Sequence, residues 1–177
     1  MFFILSMIIF LIIHEGCHAL ISMVFGEYKT FVIHPYGFEV IFQTPVYERE
    51  GIKWGFISGV SNVMTLLLGY IMFLFREEIS RLKSTFLSTL GYWLIVFFLL
   101  IDAFNLSIGP FIYGGDIGGI VRGFSINQYI IQILFFAVLL LNRELIVQKL
   151  FPVYGVKSKL FLFRPWIKLS RKDNSNY

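Results

Sequence analysis

The sequence predicts an all-α polytopic membrane protein, with about four transmembrane helices and a membrane-associated β-hairpin between the first two. Three observations carry this expectation. The 177 residues are 57% hydrophobic and 19% aromatic, and a mean hydropathy of +0.76 lies outside the range of soluble domains. The apolar residues gather into four runs, at about 2–25, 54–75, 85–104 and 126–141. Each is near the ~20 residues a helix needs to cross a hydrocarbon core, the last being short. Between the first two runs, β-branched and aromatic residues flank a proline and a glycine, a strand-turn-strand pattern. The expected location is the cell membrane, crossed several times.

The first run lacks the basic start of a signal peptide, is too long for its apolar segment, and carries His14 and Glu15 at its centre. It is therefore expected to be retained as a helix. Cys17 is the one cysteine, so no internal disulfide forms. Next, "TFVIH" and "FEVIF" flank Pro35-Tyr36-Gly37, a hairpin over about 28–46. The short, charged "REEISRLKS" makes the second and third helices antiparallel neighbours. After the third run comes "NLSIGPFIYGGDIGGIVRGFSIN", with glycines at 114, 115, 118 and 119. Such a segment cannot be regular helix throughout, and broken backbone at membrane depth is tolerated only where it is buried in protein or lines a wet cavity.

The formal net charge of +4 is unevenly placed: eight Lys and Arg residues from Arg143 to Lys172 follow the last run, interleaved with Phe161, Phe163 and Trp166. The chain thus divides into a transmembrane core, 1–142, and a basic aromatic tail, 143–177. The tail is expected to lie on an anionic lipid surface, at ~1 kcal/mol per cation near the headgroups. No folded basic module accompanies it, which argues against nucleic acid as a partner. No repeat and no second domain is evident.

The chemistry lies in "HEGCH", residues 14 to 18. His14 and His18 are one helical turn apart, so both imidazoles leave the same face and can bind a single metal ion. Glu15 is adjacent to that face, placed to touch a metal-bound water without being a ligand. This is the H-E-x-x-H arrangement of two imidazole ligands to zinc and a glutamate general base. An ionisable residue at the centre of a membrane helix costs on the order of 3 kcal/mol, so its presence there points to function. One Zn²⁺ per chain is expected. A catalytic zinc takes a third protein ligand and keeps one open position. His34, before Pro35 in the hairpin, is expected at the surface. Asp116, in "YGGDIGG", is held among small residues at an unwound helix start and is the most natural ligand. Asp102, in "LLIDAFN", remains the alternative, as a ligand or as a residue that orients one.

"HEGCH" in the first helix, "HPYGFEV" in the hairpin, "SGVSN" opening the next helix and "FNLSIGPFIYGGD" after the third together resemble the site-2 proteases, intramembrane zinc metalloproteases. The likeness covers about residues 8–120 and is nearest to the compact branch that processes sporulation sigma-factor precursors. The resemblance implies His14, His18 and Asp116 as zinc ligands and Glu15 as general base. It also implies Asn62 as a polar residue facing the site and Asn105 as a substrate- or transition-state-binding residue. Two departures stand out. Ile108 occupies the place of the family's first proline and the loop to Asp116 is about three residues longer than the family pattern. Ser58 and Gly59 replace the usual Gly-Pro.

The expected activity is hydrolysis of peptide bonds in membrane-embedded or membrane-adjacent protein substrates. A substrate helix must unwind first, and the hairpin edge offers β-addition to the extended segment. The competing class is a catalytically inactive, protease-like membrane protein that binds client helices, although a pure scaffold has no need of Glu15. A di-iron hydroxylase needs more histidines than the three present. For orientation, the positive-inside rule favours cytoplasmic termini, whereas the resemblance implies the hairpin end nearer the cytosol.

Overall fold

Four helices long and apolar enough to cross a membrane frame the computed structural model, which describes residues 1–35 and 37–167. In order they are α1 (Phe2–Val24), α2 (Ile52–Leu74), α4 (Thr85–Ser107) and α6 (Gln128–Leu145), the last running on through a π-helical turn, Ile146–Leu150, into α7 (Phe151–Val153). A two-stranded antiparallel sheet, β1 (Tyr28–His34) and β2 (Gly37–Phe42), stands between α1 and α2; a short α3 (Arg76–Ser80) links α2 to α4, and α5 (Ile117–Phe124) precedes α6. The sheet is the expected hairpin, narrower than 28–46; Tyr36 of its turn lies outside the described residues.

Local chemistry sets the ends. Gly26 takes a left-handed φ of 68° after α1, and the Glu27 N–H reaches back to the Ser22 carbonyl at 2.8 Å. That is the six-to-one bond of a Schellman ending, which turns the chain into β1. Ser84 caps α4 by accepting from the Leu87 N–H, and Asn127 caps α6 by accepting from the Tyr129 N–H.

The fourth crossing departs from the sequence expectation. It spans Gln128–Val153 instead of stopping near residue 141, because the polar groups that follow are satisfied inside the bundle. The Asn142 amide donates to the Leu99 carbonyl at 2.7 Å and accepts from the Tyr70 hydroxyl at 2.7 Å. Arg143 pairs with Glu144, donates to the Leu162 carbonyl at 3.0 Å and lies 4.0 Å over the Trp166 ring. Arg143 and Lys149 therefore lie within this crossing and not after it. Of the remaining tail cations, Lys168, Arg171 and Lys172 lie outside the described residues.

Lipid tails are as apolar as leucine, so close packing and internal hydrogen bonds hold such helices together. Gly69 lies against Phe98, Thr65 bonds Asp102 and Asn62 bonds Asn105. Positions fall along α2 as they rise along α4, so these helices are antiparallel. Ser6 bonds the Leu90 carbonyl, Phe10 packs on Phe98 and His14 meets Asp102, so α1 and α4 run parallel. The third contact is the closest: a Cβ on Gly123 would fall 2.0 Å from the Gly55 nitrogen, and one on Gly119 would fall 1.9 Å from Ser58 Oγ. Gly55 and Ser58 on α2 thus meet Gly123 and Gly119 on α5, a crossing of small residues that brings two backbones together.

Candidate metal centre

His14 and His18 are both buried, with ring centroids 4.9 Å apart on one face of α1. Their Nε2 atoms are 3.2 Å apart. The loop before α5 carries Asp116 onto this pair: its Oδ2 lies 3.2 Å from His14 Nε2 and its Oδ1 lies 3.2 Å from His18 Nε2. His14, His18 and Asp116 form a group that can hold a metal ion. The spacing fits one. Ligands ~2.0–2.1 Å from a tetrahedral ion are mutually about 3.3–3.4 Å apart, close to the 3.2 Å between the two Nε2 atoms and the 3.2 Å from each of them to a different oxygen of Asp116.

Hydrogen bonding fits it as well. The His18 Nδ1–H donates to the Ile57 carbonyl at 2.7 Å, which leaves the Nε2 lone pair facing inward. His14 Nδ1 lies 3.1 Å from Asp102 Oδ1, and among the described residues neither atom has another partner. The same carboxylate accepts from the Thr65 hydroxyl. With both ring protons directed outward, two imidazole lone pairs and a carboxylate face one another. A cation among them relieves that repulsion. Partners of this kind on the far side of each ring fix the tautomer and the ring plane.

Asp116 is held by two carboxamides. Asn62 donates to its Oδ2 at 2.9 Å and Asn105 donates to the same atom at 3.1 Å. Asn105 also donates to Asn62 Oδ1 at 3.2 Å and accepts from the Tyr113 hydroxyl at 3.0 Å. Ser61 Oγ lies 3.0 Å from His18 Nε2. Asn62 faces the centre, and the Asn105 amide is engaged with Asp116 and Asn62. His34 stands apart in the hairpin, 2.9 Å from Glu39. Ser61, Thr65 and Tyr113 are additional residues around the centre. The first two were signalled by Ser58, Ser61, Thr65 and Gly69, a stripe of small and polar residues at helical spacing along an otherwise apolar α2.

Glu15 is half-buried beside the pair and lines a cleft of about 800 Å³ together with His18 and Asp116. One wall is β2 from Glu39 to Phe42; the others are Trp54 and Ser58 of α2 and the glycines of α5. The Phe42 ring packs against Trp54 with centroids 5.5 Å apart, which fixes the strand over the start of α2. Glu27 pins the same corner by binding Lys53 and the Thr44 N–H. The arrangement provides three ligand atoms, an adjacent carboxylate, and an open cleft bounded by a strand edge. Comparison with protein-family profiles, with curated proteins and with solved structures found no match for this chain.

Proposed function

We propose that this protein is a zinc-dependent intramembrane endopeptidase of the site-2 protease type, acting in the cell membrane on membrane-embedded or membrane-adjacent substrates. The observation that carries the reading is the joining of two things in one place. The His14, His18 and Asp116 ligand set opens onto a cleft that Glu15 also lines, and two of the ligands stand on α1, a helix long and apolar enough to cross a membrane.

A zinc ion held by His14, His18 and Asp116 would supply Lewis-acid polarisation of the scissile carbonyl and acidify a water bound to it. Glu15 takes the proton from the attacking water and returns it to the leaving amine. Asp102 and the Ile57 carbonyl hold the two imidazoles in the tautomer that presents Nε2. Asn62 and Asn105 hold the Asp116 carboxylate in register. The β2 edge offers backbone hydrogen bonds to an unwound substrate, and Gly115 and Gly118 on the opposite wall leave room for its chain.

The test uses the full chain in lipid nanodiscs with model single-span substrates containing a helix-breaking pair. Wild type should hold about one zinc per chain and cleave. Glu15→Gln should keep the zinc and lose ~10²–10⁴ in rate, and His14→Ala should lose most of the metal. Equal turnover by Glu15→Gln removes the mechanism. Binding of single-span helices without cleavage by wild type leaves the client-binding reading in its place.

A further inference from the structure

Three cations, Lys29, Arg49 and Arg122, line the cleft that leads to the ligand set. Two of them are fixed by something other than a carboxylate. Arg49 donates from Nε to the Thr44 carbonyl at 3.1 Å, and its guanidinium lies 4.7 Å over the Phe42 ring and 4.8 Å over the Trp54 ring. Arg122 donates from Nη1 to the Val46 carbonyl at 3.1 Å. Among the described residues neither guanidinium has a carboxylate within ion-pair distance. The acidic groups that act on Arg49 are Glu27, which Lys53 binds, and Glu39, which His34 binds. Arg49 and Arg122 are near enough to repel each other. Each still has free N–H donors, and a guanidinium fork matches a carboxylate in geometry.

Two guanidiniums without a carboxylate partner, close enough to repel each other, are costly in the free protein. An anion entering the cleft relieves that repulsion. The cleft runs between a strand edge and the glycine face of α5, a shape suited to an extended chain more than to a lipid headgroup. We propose that the cleft selects substrates carrying Asp or Glu within a few residues of the cleaved bond, and that Arg49 and Arg122 are its specificity-determining residues. This inference rests on the proteolytic reading of the same cleft and names the substrate class.

The experiment separates the two. Fluorescent single-span peptides with a central Gly-Pro pair, flanked by a run of Glu, of Gln or of Lys, are titrated against Glu15→Gln protein in phosphatidylcholine nanodiscs. The same peptides are then offered to wild type for cleavage. Binding should rank Glu above Gln above Lys. Arg49→Gln and Arg122→Gln should each weaken the Glu peptide by about two- to fivefold and spare the Gln peptide. Arg122→Glu should favour the Lys peptide, and Arg122→Lys should keep the original order. Zinc content should be unchanged throughout, which reports an intact centre. Equal binding of the three peptides with cleavage intact overturns this inference alone. A charge ranking in binding with no cleavage by wild type overturns the proteolytic reading and leaves an acidic-peptide site. A ranking that disappears when phosphatidylglycerol is added, with the arginine variants losing that lipid instead, assigns the arginines to a headgroup and overturns the proposal.

Discussion

Two aspartates act on opposite nitrogens of one imidazole. Asp116 meets His14 at Nε2, where the ligand set converges, and Asp102 meets it at Nδ1, where Thr65 supports the carboxylate from behind. Asp116→Asn should therefore weaken zinc most, because a neutral amide replaces a charged ligand. Asp102→Asn should cost only ~10–100-fold in affinity, as loss of an orienting partner does. A competitive chelator titration of both variants measures the difference, and equal losses would contradict the assignment of roles. Much of this was legible in the sequence. The four-residue step from His14 to His18 puts both rings on one face whatever surrounds them. The glycines around Asp116 favoured it over Asp102 as the third member, whereas the place of Asp102 behind His14 was not legible, because it depends on which helix packs there. The carboxamides of Asn62 and Asn105 likewise have partners set by the packing of α2 on α4 and the path of the loop to Asp116, which no local spacing encodes.

At the scale of elements, the hairpin forms one wall of the cleft, and Glu27 tethers its base to α2 through Lys53. Glu27 is buried just past the end of α1, and its bond to Lys53 holds its carboxyl below the ordinary 4.5. A depressed folded pKa contributes stability that is present above the unfolded value and is lost as pH falls through the folded one. Hairpin protection, read by hydrogen exchange at Tyr28–His34, should therefore be flat from neutral pH to about pH 5 and fall in more acidic solution. In Glu27→Gln that acid step should vanish; its persistence would place the titrating group elsewhere. The apolar runs anticipated the first three crossings to within a few residues. The fourth was read too short, since Asn142, Arg143 and Glu144 look like an exit when their partners on α2, α4 and the following segment are unseen. The link to α5 was read correctly as broken backbone, but not the crossing with α2 that the paired glycines make.

For the molecule as a whole, four apolar helices return the chain to its starting face, and the hairpin wall of the cleft belongs to the other end. On α1, ten residues separate His14 from Val24, about 15 Å at 1.5 Å per residue. His14 thus lies about midway along α1, and the cleft runs from the ligand set toward the hairpin. Cysteines placed at Met1 and Lys157 in a Cys17→Ser background should react with an impermeant maleimide from one side of a sealed vesicle, and one at Thr44 from the opposite side. Labelling of all three from one side would break the four-crossing topology. The glycine crossing of α5 over α2 also bears on how such a chain tolerates change. The position of Asp116 is anchored by that crossing, whereas the link before it turns outward at Phe111 and Ile112, which are 73% and 69% exposed. Residues can be gained or lost there with little effect on the carboxylate, as in a strap with spare length between two fixed buckles. A single added methyl at position 123, far smaller than any such insertion, moves a buckle.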